Sequence, residues 1–457
     1  MTDRSVVEQW DRDYLIHVEH TAAEYNPAQV VAANGAWLEF ADGRRMLDFH
    51  GQYMCVGVGH GDQRLRAALH EAVDQVDYVC EAFTHEAKAR AAKLLVRDTM
   101  DGSDWAGAAK FTASGSEAVE CALLMARLYM DRPLVVTRQA AYHGWTAGAA
   151  SVTSIAHMRN PLIDPATGEV RHDRSLIPAP IAPIAMSDDK DDDGRLRCVA
   201  DTERLIRSLG VENVAAIITE LYHGAGGFLV PDGYPQQIRA LADRLSILWI
   251  DDEVIAGAGR TGRWWAFQHY GVEPDLMCTG KGLSSSAVPA AACVVSRKIA
   301  DFFAARRWAA TSTFSGHPLA VAAIAANIEL ILADKVLEHV RDVGGYLAGE
   351  LAGLAARHPS VAGASGLGLG YGINLVHPRS GQPWVPQDRW ITGSVDGAPD
   401  FSPGAYVADR CAERGILLLN FLPNTVTIAP PLKIAKADID IAITAFDEVF
   451  TELDVMG

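Results

Sequence analysis

The sequence predicts an α/β fold: a mostly parallel sheet with helices on both faces, joined to a smaller α+β domain built from both chain ends. Three observations carry this reading. Short apolar runs alternate with helical patterns through the middle of the chain. A hairpin pattern lies near the start, and strands followed by a helix close the end. The length of 457 residues exceeds what one hydrophobic core usually covers, so two domains are expected. We place the larger at 60–316, and the two parts of the smaller at 1–59 and 317–457.

The elements follow in chain order. Residues 32–50, AANGAWLEFADGRRMLDFH, read as a hairpin that turns at ADGR. SEAVECALLMARLYM (116–130) reads as a helix, LVVT (134–137) and VAAIIT (214–219) as buried strands. PQQIRALADRLS (235–246) is helical, and SILWI (246–250) and AAACVVS (290–296) are again buried strands. Residues 317–358 read as helix with a break near Gly344. GLGLGYGINLV and NTVTIAPPL read as strands, and KADIDIAITAFDEVFTEL as the closing helix.

Charge and cysteine usage exclude several classes. A net charge of -17 argues against nucleic acid or an anionic membrane as the main partner. Seven Cys with no C-x-x-C pair fit reduced thiols and a cytoplasmic location. The opening MTDRSVVEQWDRDYLIHVEH has no apolar signal core. No uncharged apolar run reaches the roughly 18 residues of a membrane span. DDKDDDG (188–194) reads as a solvated loop, and no metal site is expected.

Three stretches carry the chemistry. In LMCTGKGLSSS (276–286) a lone lysine, Lys281, sits between two glycines. A solvated turn has that pattern too. A P-loop lysine is excluded, because Asp275 stands where its first Gly belongs and Gly282 where its Ser or Thr belongs. The remaining reading is a Schiff-base lysine with room for a carbonyl compound. In FTASGSEAVECALLMAR (111–127), Ser114, Gly115 and Ser116 lead into an amphipathic helix, and Ser114 with Glu117 fits a capping box. That is either a well-capped helix or an anion site where free N–H groups and two hydroxyls meet a phosphate. In SILWIDDEVIAGAGRTG (246–262), acids end an apolar strand. GAGRTG matches G-x-G-x-x-G, but RWWAFQHYG is no clear helix and the expected acid about 20 residues on is missing. A helix-borne phosphate site, a strand-end carboxylate and an unhindered amine together suit one cofactor, pyridoxal 5'-phosphate.

On these residues the chain resembles the class III (fold type I) pyridoxal-phosphate aminotransferases over nearly its whole length. The shared motifs are Ser114-Gly115-Ser116-Glu117-Ala118, Tyr142-His143-Gly144, Asp252 through Gly262, Pro274-Asp275 with Lys281-Gly282, Thr313 through Pro318, and Pro430-Pro431-Leu432. The resemblance implies a catalytic Lys281 that bonds the cofactor and moves a proton. It implies Asp252 at the pyridinium nitrogen, with Asp251 the competing choice, and Ser114, Gly115 and Ser116 at the phosphate. Tyr142 would stack on the ring and Val254 on its other face, though both also fit an ordinary core. His143 would be structural and not an acid or base, and Glu220 would support the Asp252 region, with Leu221 replacing the family's proline after that Glu. Thr313 would bind the phosphate of a second subunit, making the active unit a homodimer with shared sites; a helix-start hydroxyl is its alternative role. Arg260 reads as a structural ion-pair partner.

The substrate is where the chain departs from the family. Many members place an Arg just before P-P-L, where this chain has Thr427 in VTIAPPL. Amine:pyruvate members use an Arg ten residues before the first of those prolines, and Asn420 stands there. Tyr53, Met54, Trp145 and Phe421 are apolar candidates for the substrate site beside Asn420. Arg171, Arg174 and Arg389 are further candidates for a carboxylate. The expected reaction is transfer of an amino group from a bulky, hydrophobic amine or amino acid to a carbonyl acceptor. An epimerase or decarboxylase shares the cofactor motifs; the Gln of dialkylglycine decarboxylases falls on Tyr53, one residue from Gln52. A nicotinamide oxidoreductase or a binding protein without catalysis are the alternatives from other classes.

Overall fold

The computed structural model describes residues 4–18, 25, 28–159, 180–184, 186–386 and 401–456. Strands run in the order β1 (Val30–Asn34), β2 (Trp37–Phe40), β3 (Arg45–Asp48), β4 (Ala106–Thr112), β5 (Leu134–Arg138), β6 (Ile181–Ile184), β7 (Val214–Thr219), β8 (Tyr222–His223) and β9 (Phe228–Leu229). They continue as β10 (Leu248–Asp252), β11 (Leu276–Thr279), β12 (Ala291–Ser296), β13 (Val361–Leu367), β14 (Gly370–Leu375), β15 (Ile416–Leu417), β16 (Leu419–Leu422) and β17 (Thr425–Ile428).

Seven of these form the central sheet, in the order β4-β12-β11-β10-β7-β5-β6. Only β12 runs against the others, pairing antiparallel with both β11 and β4. β7, β10 and β12 are buried at every position. Apolar runs of that kind need both faces covered, as in a parallel sheet between helices. Helix Gly115–Met130 packs one face with Ala118, Val119, Ala122, Leu123 and Ala126. Two four-stranded sheets flank the central one. In the first, β15 pairs in parallel with β3, so the two chain ends share a sheet. The second, β13-β14-β17-β16, places Thr427 opposite Gly372 and Leu419.

Several elements differ from the sequence reading. β10 begins two residues later than expected, because Ser246 takes a left-handed conformation (φ 52°) at the end of helix Tyr234–Leu245. It then runs on through Asp251 and Asp252, which pair with Met277 and Cys278 of β11. The long helix breaks at Asp334–Lys335, with Lys335 left-handed at φ 52°, and Gly344 lies inside the second half, Val336–Arg357. A Cβ on Gly344 would lie 2.3 Å from the Gly368 carbonyl, so this glycine answers a close approach and not a break. β4 and β11 escaped the sequence reading. AGAAKFT is rich in small residues of weak strand preference, and LMCT is only four residues long. No helix among the described residues is long and apolar enough to cross a membrane.

Candidate active site

β4, β5, β7, β10 and β11 point the same way, and their carboxyl ends gather the predicted residues at one edge of the sheet. After β4 the chain turns at Ser114 into its helix. After β5 come Tyr142, His143 and Gly144; after β7, Glu220; at the end of β10, Asp252; after β11, Lys281. Close backbone approaches join these segments. A Cβ on Gly280 would lie 3.6 Å from the Gly115 backbone, and one on Gly115 would lie 2.9 Å from Val254 Cγ1. One on Gly144 would collide with Ser116 Oγ.

The Ser114 hydroxyl caps its helix by accepting from Glu117 N at 3.2 Å. Glu117 does not return the bond to Ser114, as a capping box requires; it accepts from Ala113 N at 2.7 Å. Gly115 N and Ser116 N have no acceptor among the described residues. Two unpaired donors at a helix start make an anion site.

Asp252 is buried and doubly fixed. His143 Nδ1 sits 2.7 Å from Asp252 Oδ2, and Val254 N donates to Oδ1 at 3.0 Å. His143 is itself held where its N–H donates to Thr153 Oγ1 at 2.9 Å. Asp251 lies on the other face of the strand, fully buried, and neither of its oxygens has a donor. Burial, then repulsion from Glu253, holds Asp251 well above the carboxylate range. Burial pushes Glu253 up to about 8. Asp251 therefore faces away from the site, in surroundings that disfavour its charged form.

Lys281 is half-buried at φ 43°, and burial lowers its amine below the usual lysine value. Its Nζ donates to the Tyr53 carbonyl at 3.1 Å. That carbonyl is presented by an uncommon turn. Gly51, Gln52, Tyr53 and Met54 are all left-handed, with φ 58°, 48°, 62° and 61°. Each non-glycine residue there costs about 1–2 kcal/mol. Gln52 N donating to buried Asp48 Oδ1 at 3.2 Å and Met54 N to the His50 carbonyl at 2.8 Å hold the turn together.

The apolar candidates divide. Tyr142 packs with Ile155, Ala225, Phe228, Phe421 and Leu422 in one cluster. Burial, then the Asp252 charge, raises the Tyr142 phenol. Phe421 also stacks on the Tyr53 ring at 6.1 Å between centroids. These rings therefore form a wall reaching from Asp252 to the Lys281 amine. Met54 is buried in the core, and Trp145 is 74% exposed. Asn420 is exposed, while Thr427 is buried and donates to the Ala225 carbonyl at 3.4 Å. Thr313 is exposed and apart from this group; its carbonyl accepts from Tyr78 Oη at 2.9 Å.

Three further residues correct or extend the sequence reading. Arg260 has no carboxylate partner among the described residues; it is buried and donates to the Leu369 and Pro430 carbonyls. Burial pushes it down to about 10. Glu220 holds Tyr142 in place of the Asp252 region: it accepts from Tyr142 N at 3.1 Å, Gly224 N at 3.0 Å and Arg138 Nη2 at 3.2 Å. Arg159 follows Met158, which packs on the Tyr142 cluster, and its buried Nε has no partner among the described residues. Arg171, Arg174 and Arg389 lie outside the described residues.

The donor set fits pyridoxal phosphate: unpaired helix N–H groups for the phosphate, Asp252 for the ring nitrogen and an amine of lowered pKa for the carbonyl. Comparison with known proteins agrees. The model of the class-III aminotransferases matches residues 20–450. An omega-aminotransferase of Caulobacter vibrioides is 31% identical, over 94% of this chain and 94% of its own. An S-selective transaminase from Bacillus megaterium, known by its crystal structure, superposes with a TM-score of 0.95 at 38% identity, covering 100% of this chain and 99% of that one. An S-selective transaminase from Arthrobacter sp. with alanine bound gives 0.94 at 38% identity, with the same coverage.

Proposed function

The chain belongs to the class-III aminotransferases and is a pyridoxal-phosphate-dependent transaminase, and from that premise we propose that its donor is a bulky hydrophobic amine and its acceptor a 2-oxo acid. Bound pyridoxal phosphate supplies a carbonyl that takes up the amino group and a protonated ring that draws electrons from the donor carbon. Gly115 N, Ser116 N and the Ser116 hydroxyl would hold its phosphate, with Ser114 fixing the helix start. Asp252, oriented by His143, would hold the proton on the ring nitrogen. Tyr142 and Val254 would flank the ring. The Lys281 amine would move a proton at the donor carbon, and its lowered pKa favours the neutral base that this needs.

One observation carries the donor class. The wall of Tyr53, Tyr142, Phe228 and Phe421 stands beside the lysine, while Asn420 and Thr427 leave the two usual arginine positions without a cation. A second carboxylate on the donor would be desolvated without a partner, which is costly. The 38% identity to S-selective transaminases supports an S preference. A donor panel tests this: (S)-1-phenylethylamine is expected to exceed glutamate, a diacid, in kcat/KM by about 10²-fold or more, the effect of an unpaired buried charge. Glutamate outperforming every hydrophobic amine, or a preference for the R amine, overturns the reading. Arg159 is the cation we assign to the single carboxylate of the acceptor. In the same panel, Arg159→Ala should raise KM for the 2-oxo acid and leave KM for the amine unchanged; an unchanged KM for the 2-oxo acid removes that assignment.

The active unit we propose is a homodimer in which Thr313 reaches the partner's phosphate site. Its exposure, beside the exposed rings of Phe314 and Tyr78, supports this. Light scattering should report a dimer under assay conditions, and an active monomer contradicts it.

A further inference from the structure

Glu220 is a buried carboxylate with three donors, and one of them is a second buried charge. Arg138 closes β5, Glu220 follows β7, and their side chains are 6% and 5% exposed. The Arg138 Nη2–Glu220 Oε1 distance is 3.2 Å. The same oxygen accepts from Tyr142 N at 3.1 Å, and the other oxygen from Gly224 N at 3.0 Å. Tyr142 is the ring wall beside Asp252, and Gly224 precedes Ala225 of the apolar cluster. One carboxylate thus ties together the two backbone segments that shape the slot.

We infer that Arg138 is a positioning residue: its guanidinium keeps the Glu220 carboxylate charged and in place, and through Glu220 it fixes Tyr142 and the 223–226 turn against the cofactor slot. This rests on Tyr142 being the ring wall proposed above. The groups facing Glu220 leave Arg138 as its counter-charge. His223 is pushed down to about 4 by burial and by Arg138, so it is neutral at working pH. It accepts from Gly226 N at Nδ1 and gives its other nitrogen to the Ala140 carbonyl. His143 is committed to Asp252. Asp251 is an acid and offers no positive charge, and Lys281 is directed at Tyr53. Burial alone would raise the Glu220 carboxyl, and Arg138 is the foremost group that brings it below its usual value.

Removing Arg138 therefore reverses the sign of a pH dependence. In the wild type the folded pKa of Glu220 is lowered, so its contribution is present above the unfolded value and is lost as pH falls through the folded one. In Arg138→Met, burial raises the folded pKa. The contribution is then present in acid and is lost as pH rises through the raised value. The experiment is thermal unfolding of the cofactor-free protein across pH, together with pyridoxal phosphate affinity from tryptophan quenching. Arg138→Met is expected to lose stability as pH rises above the ordinary glutamate range, where the wild type does not, and to bind the cofactor roughly ten- to a hundredfold more weakly, the scale for groups one step behind a site. Arg138→Lys should keep the wild-type slope. Arg138→Met/Glu220→Gln should lose the new slope, which separates charge compensation from general damage to the fold. An unchanged stability slope in Arg138→Met overturns the proposal. A changed slope with unchanged cofactor affinity also overturns it, because the pair then does not position the slot. Tyr142→Ala distinguishes the two readings: if it too leaves cofactor affinity unchanged, the ring-wall assignment is at fault.

Discussion

Lys281→Ala is expected to abolish transamination, with kcat falling by at least about 10⁴-fold, the scale of losing a residue that is both nucleophile and proton carrier. The reason lies in the surroundings of the amine. Arg138 is paired with Glu220 and Arg260 with two backbone carbonyls, and guanidiniums are not bases at working pH. His143 is committed to Asp252. No second amine among the described residues stands at the carboxyl ends of these strands, so nothing replaces the lysine. Because its Nζ reaches only a carbonyl, truncation to Ala leaves no buried charge unpaired. The variant should therefore fold and still bind the cofactor through Ser114–Ser116 and Asp252. Rapid-quench assays at saturating donor check the loss, and small primary amines in solution should restore a measurable part of it. Turnover within tenfold of wild type would falsify the assignment.

The parts of the site that were legible in the sequence share a physical cause. A phosphate, a ring nitrogen and a carbonyl each demand one residue type, and a parallel sheet delivers each just after a strand. Ser114, Tyr142, Asp252 and Lys281 could thus be picked out as candidates from short motifs, whereas Glu220, expected beside Asp252, holds the Tyr142 backbone. The groups that hold them could not. Arg138 and Glu220 are 82 residues apart, and nothing local marks an arginine at the end of LVVTR as the partner of that glutamate. Arg260 looked like an ion-pair residue, yet the backbone of two distant segments takes its donors. The left-handed turn at 51–54 was equally hidden. Gln52, Tyr53 and Met54 have no intrinsic preference for that conformation; it persists because buried Asp48 and the ladder around it determine the turn. The break assigned to Gly344 failed for a related reason, since a glycine serves close packing as readily as it ends a helix.

The second large effect is expected at Asp252. Both of its oxygens accept, Oδ2 from His143 Nδ1 at 2.7 Å and Oδ1 from Val254 N at 3.0 Å. Asn preserves the shape but offers one acceptor and one NH₂ group. With its oxygen toward His143 the amide sets its NH₂ against the Val254 N–H; turned the other way it keeps both contacts only if His143 moves its proton to Nε2, and in either case the negative charge that would hold the ring nitrogen's proton is gone. Preorganised charge of this kind is worth about 10²–10³ in rate at other sites, and here it acts on the step that needs electron withdrawal most. Asp252→Asn should therefore lower kcat on the order of 10³-fold, with cofactor affinity much less affected because the phosphate contacts are separate. Asp251→Asn is the matched control. Burial and Glu253 disfavour the charged form of Asp251, which faces Thr219 and Met277 across the sheet and lies on the far side of the strand from His143. An amide there should leave kcat within roughly tenfold, as expected for a change that removes no charge from the site. If Asp251→Asn proves the crippling change and Asp252→Asn the mild one, the carboxylate at the ring nitrogen has been placed on the wrong face of β10, and the roles given to His143 and Tyr142 go with it.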